Sequence, residues 1–324
     1  MPCRSASRSG MALILALAAI ALAGGLALFL QARASALARA EQSELLRERL
    51  RTAAAEAARE ALWILAADEN LEVDHLGEDW ALPRESVRED GLSTWAIVED
   101  ANRFFNWNNL SASNRAARSS RDVLLDLMMF CGDFDSSARV DALQDFMDAD
   151  EEGVYEADFY RTGETPFQPP NRELWAPAEL LRVHGFSADL FRPRPRTDPD
   201  DPTGGDLSAS TALVPMPLEA PLPVNVNTAG RDVLMGVSGL QQEDLVRKIL
   251  TLRQVQPFES LATMFMAYPE VAAALEGSVG TASSCFRVRA RAAMGGQHRS
   301  VMAWVVRDST TGDVRILQWM EEES

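Results

Sequence analysis

The stretch "SRSGMALILALAAIALAGGLALFLQARASALARAEQ" runs from Ser7 to Gln42, and its reading decides the rest of the chain. Arg4 and Arg8 precede its apolar part, which starts at Met11 and runs through Leu30; no acid precedes Glu41. Met11 to Leu30 is about the length a helix needs to cross a ~30 Å hydrocarbon core. The positive flank predicts a cytoplasmic N-terminus, with the remaining chain on the other side. A cleaved secretory signal ending in "ARASA" (Ala32 to Ala36) is the plainer alternative. Two features oppose it. The apolar run exceeds the usual h-region of about 7–15 residues. The chain beyond it also does not break. "ARASALARAEQSELLRERLRTAAAEAAREALWILA" holds no Gly or Pro and is rich in strong helix formers. Leu37, Leu45, Leu46, Leu50, Ala54, Ala57, Ala61, Leu62 and Leu65 recur at helical spacing. One continuous helix is predicted from Met11 to about Ala67, transmembrane over 11–30 and amphipathic beyond, roughly 80 Å long.

Composition narrows the function classes. The chain has 324 residues, 47% of them hydrophobic and 24% charged, and a net charge of −17. Such an acidic chain repels nucleic-acid phosphates unless its basic residues gather on one face. Cys3, Cys131 and Cys285 form no CxxC pair, and His75, His184 and His298 lie far apart, so no thiolate zinc site is expected. No P-loop, GxGxxG or HExxH occurs. "GVSG" (Gly236 to Gly239) is one residue short of GxSxG. Neither an enzyme nor a small-molecule substrate is expected. Cys131 and Cys285 are as compatible with separate burial as with a disulfide.

Beyond the helix, Thr94 to Val98 in "GLSTWAIVEDANRFFNWNNL" reads as a strand closed by a polar turn. "SRDVLLDLMMFCGDF", "RVDALQDFMDAD" and "WAPAELLRVHGFSADLF" are helical in propensity, and 192–223 is a Pro/Asp-rich loop. "VNVNTAGRDVLMGVSGL" and its continuation predict two or three short helices, with Asn227 or Thr228 as N-cap. Three alternating runs end the chain: "SCFRVRARAAM", "HRSVMAWVVRD" and "DVRILQWME". They predict an antiparallel meander with Arg287, Arg289 and Arg291 on one face and Phe286, Val288 and Ala290 on the other. The fold class is α+β. A long N-terminal helix over 11–67 packs on a small antiparallel sheet built from 68–110 and 281–324. A large all-helical domain, 111–280, is inserted between these parts.

A basic leader ending in Gly10, an apolar span from Met11 and a helix continuing out of the membrane resemble a type IV prepilin-like protein. The resemblance implies that a prepilin peptidase removes leader 1–10 between Gly10 and Met11, with methylation of the new terminus, and that the apolar helix is kept. Most such proteins carry a glutamate at the fifth mature position, which here is Leu15. A carboxylate at membrane depth needs a partner. A subunit with nothing beyond it in the fibre gains nothing from that acid, so Leu15 points to a tip subunit. The whole arrangement resembles the K-type minor pseudopilin of type II secretion. Its most specific parts are "VEDANRFFNWNNL", "LQDFMDADEEGVYEADFY", "WAPAELLRVHGF" and "VNVNTAGRDVLMGVSGL". The resemblance implies a pilin-like core with a helical insertion at the pseudopilus tip, a structural and assembly-initiating part of protein export across the outer membrane. It also implies a single pass through the inner membrane with a periplasmic C-terminal domain, and other minor pseudopilins and the major pseudopilin as partners.

"MDADEEGVYEADFY" is the candidate metal loop. Asp148, Asp150, Glu152 and Gly153 imitate the start of an EF-hand loop and Glu156 stands at its ninth place, but the twelfth is Phe159. Clustered carboxylates in a turn suit calcium, and the K-type family carries calcium in its helical domain. The expected ligands are Asp148, Asp150, Glu152, Glu156 and Asp158. Asp198, Asp200, Asp201 and Asp206 form a second acidic run. "VSGLQQEDLVRKIL" has the shape of a helix-hairpin-helix turn, and "VHGFSADLF" is a weaker copy. In a membrane-tethered DNA-uptake protein such turns offer amides to phosphate. Arg247 and Lys248 are offset by Glu243 and Asp244, which disfavours that alternative; no nucleic-acid partner is expected.

Overall fold

In the computed structural model, which describes residues 7–111, 116–130, 133, 135–162, 166–191 and 221–322, helix α1 spans Ser7–Ala66 without interruption. The helix behaves differently along its length. Met11 to Gln42 are exposed throughout, whereas Leu50, Ala53, Ala54, Ala58, Ala61 and Leu65 are buried. Leu37 and Leu45 belong to the helical stripe but are exposed; the stripe outruns the sheet that could cover it.

That sheet contains β1 (Arg84–Val87), β2 (Ser93–Asp100), β5 (Cys285–Met294), β6 (Gln297–Arg307) and β7 (Val314–Glu322), in the order β1-β2-β5-β6-β7, every neighbour antiparallel. The predicted alternation of β5 holds. Phe286, Val288 and Ala290 are buried under α1, while Arg289 and Arg291 are exposed and Arg287 is half-buried. Arg287 and Arg289 both donate to Glu99, each at 2.8 Å. Alanines dominate both sides of the helix–sheet seam, which lets α1 lie close. Leu50 and Leu65 fill what remains, each stabilising by about 1.5–3 kcal/mol.

The chain leaves this sheet after Asp100 and returns at Cys285, yet Asp100 and Phe286 are register partners. Everything between is an excursion whose two ends lie side by side, joined by Ala101 N–H donating to Cys285 O at 2.9 Å. The excursion holds α2 (Ser120–Phe130), α3 (Ser136–Met147), α4 (Ala157–Arg161), α5 (Arg231–Ser238), α6 (Glu243–Val255), α7 (Leu261–Ala267) and α8 (Pro269–Leu275). Strands β3 (Val224–Asn225) and β4 (Val279–Gly280) pair in parallel beside them. It has its own core, including Trp107, Leu124, Leu127, Phe146, Leu234 and Ile249.

Several local expectations need correction. "WAPAELLRVHGFSADLF" forms two 3-10 segments, Pro177–Arg182 and Ala188–Phe191, in place of an α-helix. Gly185, at φ 81°, breaks the run, and Glu179 is held by Trp175 N–H at 2.6 Å and Arg172 at 2.7 Å. Asn227 and Thr228 do not cap α5, whose N-cap is Gly230. Asn227 instead accepts from Phe258 N–H at 2.8 Å and donates to Phe258 O at 3.0 Å. Asn108 grips the backbone of Leu174 in the same way, with both bonds at 2.9 Å. Asn109 grips Leu222, with both at 3.0 Å. In all three, a primary amide stands in for a strand partner.

The two cores meet at a polar hub. Asp100 accepts from Asn102 N–H at 2.7 Å, Ser283 Oγ at 2.8 Å, Asn225 Nδ2 at 3.1 Å and Thr228 Oγ1. Burial still pushes its carboxyl above the usual range. Next to it, Arg307 donates to both oxygens of Asp74 at 2.6 Å and to Asp68 at 2.7 Å. Cys285 is a buried free thiol, whereas Cys131 lies outside the described residues.

Candidate functional site

The acidic loop after α3 is a site built by its own turn. Asp148 ends α3 and Glu156 precedes α4, so two helix ends converge on the loop. Ligand oxygens of Asp148, Asp150 and Glu156 lie within 4.8 Å of one another. Asp148 Oδ1 and both Glu156 carboxylate oxygens are buried with no hydrogen-bond partner among the described residues. Burial, then the charges of Asp150 and Asp145, hold the Asp148 carboxyl above its usual range. Glu156 is raised by burial, then by Asp145, Asp148 and Asp150. Buried acceptors without donors, surrounded by like charges, are neutralised either by a proton or by a cation. An all-oxygen set of varied reach fits a hard divalent ion.

Of the five expected ligands, three are brought together. Glu152 is exposed and stands outside the trio; its N–H donates to Asp150 Oδ1 at 2.9 Å. Asp158 also stands apart, in the first turn of α4 and paired with Arg161 at 2.7 Å. The trio spans nine residues, from the end of α3 to the start of α4. Sequence reasoning missed Asp145. Its buried side chain accepts from Tyr155 N–H at 2.8 Å and adds negative charge to the trio. The signal was present, because Asp145 lies three residues before Asp148 and shares its helix face. Gly153 is required here for a packing reason: a Cβ would overlap the Asp145 carboxylate.

Aromatic rings fasten the loop to the "VHGF" turn. Tyr155 stacks on His184 at 4.8 Å and 21°, and Phe159 meets the same ring edge-on at 4.8 Å. Tyr160 OH accepts from His184 N–H at 3.1 Å. A second carboxylate trio, Asp68, Asp74 and Glu78, also exists. Arg307 and the Trp80 indole already engage its oxygens, so it needs no ion. The run Asp198 to Asp206 lies outside the described residues.

The hairpin at Gly239 is real: α5 ends there at φ 99° and α6 begins at Glu243. Glu243 and Asp244 occupy the first turn of α6, where a phosphate would have to sit, and Glu243 pairs with Arg231 at 2.8 Å. Nothing in this turn favours DNA binding. At the other end of the chain, α1 is long and apolar enough to cross a membrane once, with a mean hydropathy of 2.7 over its most apolar window. Leu15 is exposed on it. The helix continues backward through Gly10 to Ser7.

No curated protein matches the chain by sequence. Residues 103–193, which include the acidic loop, match the family model described as type II secretion system (T2SS), protein K. The fold matches a chain in the crystal structure of the GspK-GspI-GspJ complex from the enterotoxigenic Escherichia coli type 2 secretion system. The TM-score is 0.62 at 19% identity, covering 88% of this chain and 99% of the other. The protein K model thus covers the start of the excursion, and the fold of a chain from the GspK-GspI-GspJ complex extends over most of this chain's length.

Proposed function

We propose that the protein sits at the tip of the pseudopilus, with calcium bracing its helical body. The carrying observation is α1: Met11 to Gln42 are exposed, so its apolar run, Met11 to Leu30, is covered by none of the described residues. Subunits below would cover it, at about 25 cal/mol per Å² of apolar surface buried. Two further features support the tip. Leu15 removes the acid that a subunit ahead would neutralise. The excursion between Asp100 and Cys285 adds a second core that would collide with a neighbouring head in a shaft. GspI and GspJ accompany GspK in the related complex; we take the corresponding minor pseudopilins as partners here, with the major pseudopilin below.

In the same reading a prepilin peptidase cuts between Gly10 and Met11, the new terminus is methylated, and α1 anchors the head on the periplasmic side of the inner membrane. Calcium is held by Asp148, Asp150 and Glu156, its charge balanced further by Asp145. The role is structural: the ion removes the repulsion between α3 and α4.

Labelling of this subunit in surface-extended pseudopili tests the tip. Label at one end is expected, whereas label repeated along the shaft would show an ordinary repeating subunit. The mature protein should begin at Met11; a terminus near Leu37 would identify an ordinary signal peptide. Leu15→Glu should not improve assembly, because it leaves a carboxylate unpaired in lipid.

A further inference from the structure

A cleft of about 500 Å³ opens between the His75–Gly77 turn and the last turns of α6. Its walls are mostly apolar, from Leu76, Leu250, Val255 and Pro257. Its polar groups are Arg253, His75, Asn227 and Gln254. Asn227 is fully engaged with Phe258, and His75 Nδ1 accepts from Gly77 N–H at 3.1 Å. Arg253 is therefore the cleft's main charged group.

Its situation is unusual for this chain. Arg253 is partly buried and donates Nη1 to Val226 O at 2.8 Å. That carbonyl satisfies one of five N–H donors. Among the described residues no carboxylate pairs with it. The nearby charge is Arg103, which lies over the Phe104 ring at 5.5 Å and whose charge also acts on Asp100. Burial and Arg103 push Arg253 down to about 10. Arg307, Arg118, Arg139 and Arg172, by contrast, each hold an acid: Asp74, Asp126, Asp133 and Glu179. In a chain with 48 acids and 31 basic residues, a cleft whose charged group holds no carboxylate among the described residues is short of an anion. Removing such a charge from water is unfavourable until a counter-charge arrives.

We infer that this cleft docks another protein through an Asp or Glu side chain flanked by aliphatic residues, the carboxylate seated on Arg253. A guanidinium fork matches a carboxylate bidentately. The rim supplies the second argument. Leu76 is 47% exposed and Val255 is 86% exposed, so a free inorganic anion would satisfy Arg253 but leave this apolar rim bare. An aliphatic stretch on either side of the acid covers it. The inference uses neither the calcium loop nor the position of the subunit in the fibre.

The test uses the full chain in detergent micelles and two fluorescein-labelled peptides, Gly-Leu-Asp-Val-Gly and its Asp-to-Asn counterpart, read by fluorescence anisotropy. The Asp peptide should bind at least about tenfold more tightly than the Asn peptide, as a charge-assisted bond implies. Arg253→Lys should weaken it about tenfold, because an ammonium cannot reproduce the fork. Val255→Asp should also weaken it, and that position is too exposed for the fold to depend on it. Equal binding of the two peptides, or wild-type binding by either variant, overturns the proposal. Inorganic phosphate that displaces the Asp peptide while binding as tightly itself would assign the cleft to free anions and overturn it as well.

Discussion

Neutralising the acidic loop should move stability in opposite directions with and without calcium. The perturbation is Asp148→Asn combined with Asp150→Asn. In the wild type the oxygens of Asp148, Asp150 and Glu156 lie within 4.8 Å of one another. At that separation a like-charged pair costs about 1 kcal/mol in water and about 3 kcal/mol at a protein surface. Asp150 is exposed, so its share belongs to the lower end. Salt and solvent at the half-exposed loop screen some of the rest. A net gain of about 1–2 kcal/mol is expected in chelator, which raises Tm by about 1.5–3 °C at this size. In calcium the order reverses. The wild type gains about 2.7 kcal/mol at a hundredfold excess over Kd, because the ion binds only the folded form. The variant gains nothing. Tryptophan-fluorescence melts of the full chain in detergent, in calcium and in chelator, should therefore cross over. A wild type that melts identically in both buffers refutes the site, and a variant that melts lower in chelator refutes the repulsion argument.

Three further outcomes follow from the packing. Gly236→Ala gains about 1 kcal/mol of helix propensity, but its methyl overlaps the buried Leu127 and overpacking costs about 1–3 kcal/mol; net destabilisation in urea titrations, partly rescued when Leu127→Ala makes room, is expected. Asn109→Leu strips Leu222 of both backbone bonds and should cost about 2–4 kcal/mol at roughly 1–3 kcal/mol per buried orphan; a loss under ~0.5 kcal/mol would mean that water replaces the amide. Burial pushes Asp74 up to about 7 despite Arg307, against about 3.9 when unfolded, and Asp100 moves the same way. The folded state then binds more protons between those values, so stability in chelator should fall as pH rises from about 4 to about 7 and level off above. A urea midpoint that climbs over that interval would show that Arg307 keeps Asp74 ionised.

The elements legible in the sequence are those whose signal is periodic and local. Helix α1 has an unbroken run of helix formers and β5 alternates cleanly, so both emerged with their faces, while β6 and β7 emerged as strands. β1 did not, because all four of its residues are exposed and an edge strand without a buried face carries no alternation. The asparagines in "NWNNL" and "NVNTA" read as turn and cap residues because a side-chain amide looks local in sequence. Their partners lie 66, 113 and 31 residues away. The candidate ion site was found as a composition of acids. Which acids converge depended on where α3 ends and α4 begins, and that excluded Glu152 and Asp158 and brought in Asp145.

The continuity of α1 has a mechanical consequence. A 60-residue helix is a rod of about 90 Å, and from Gln31 to Ala66 it contains neither Gly nor Pro. Helices bend sharply at such residues or at inserted groups, so this length has no joint. Because the sheet clasps the rod's far end between Leu50 and Leu65, an axial push at its base displaces the head by the same distance, with no slack to absorb it. The compliance left sits at Gly24 and Gly25, where no neighbouring atom lies within 4 Å of an added Cβ. That pair lies within the apolar span, so the rod flexes in its apolar part and stays stiff from there to the head.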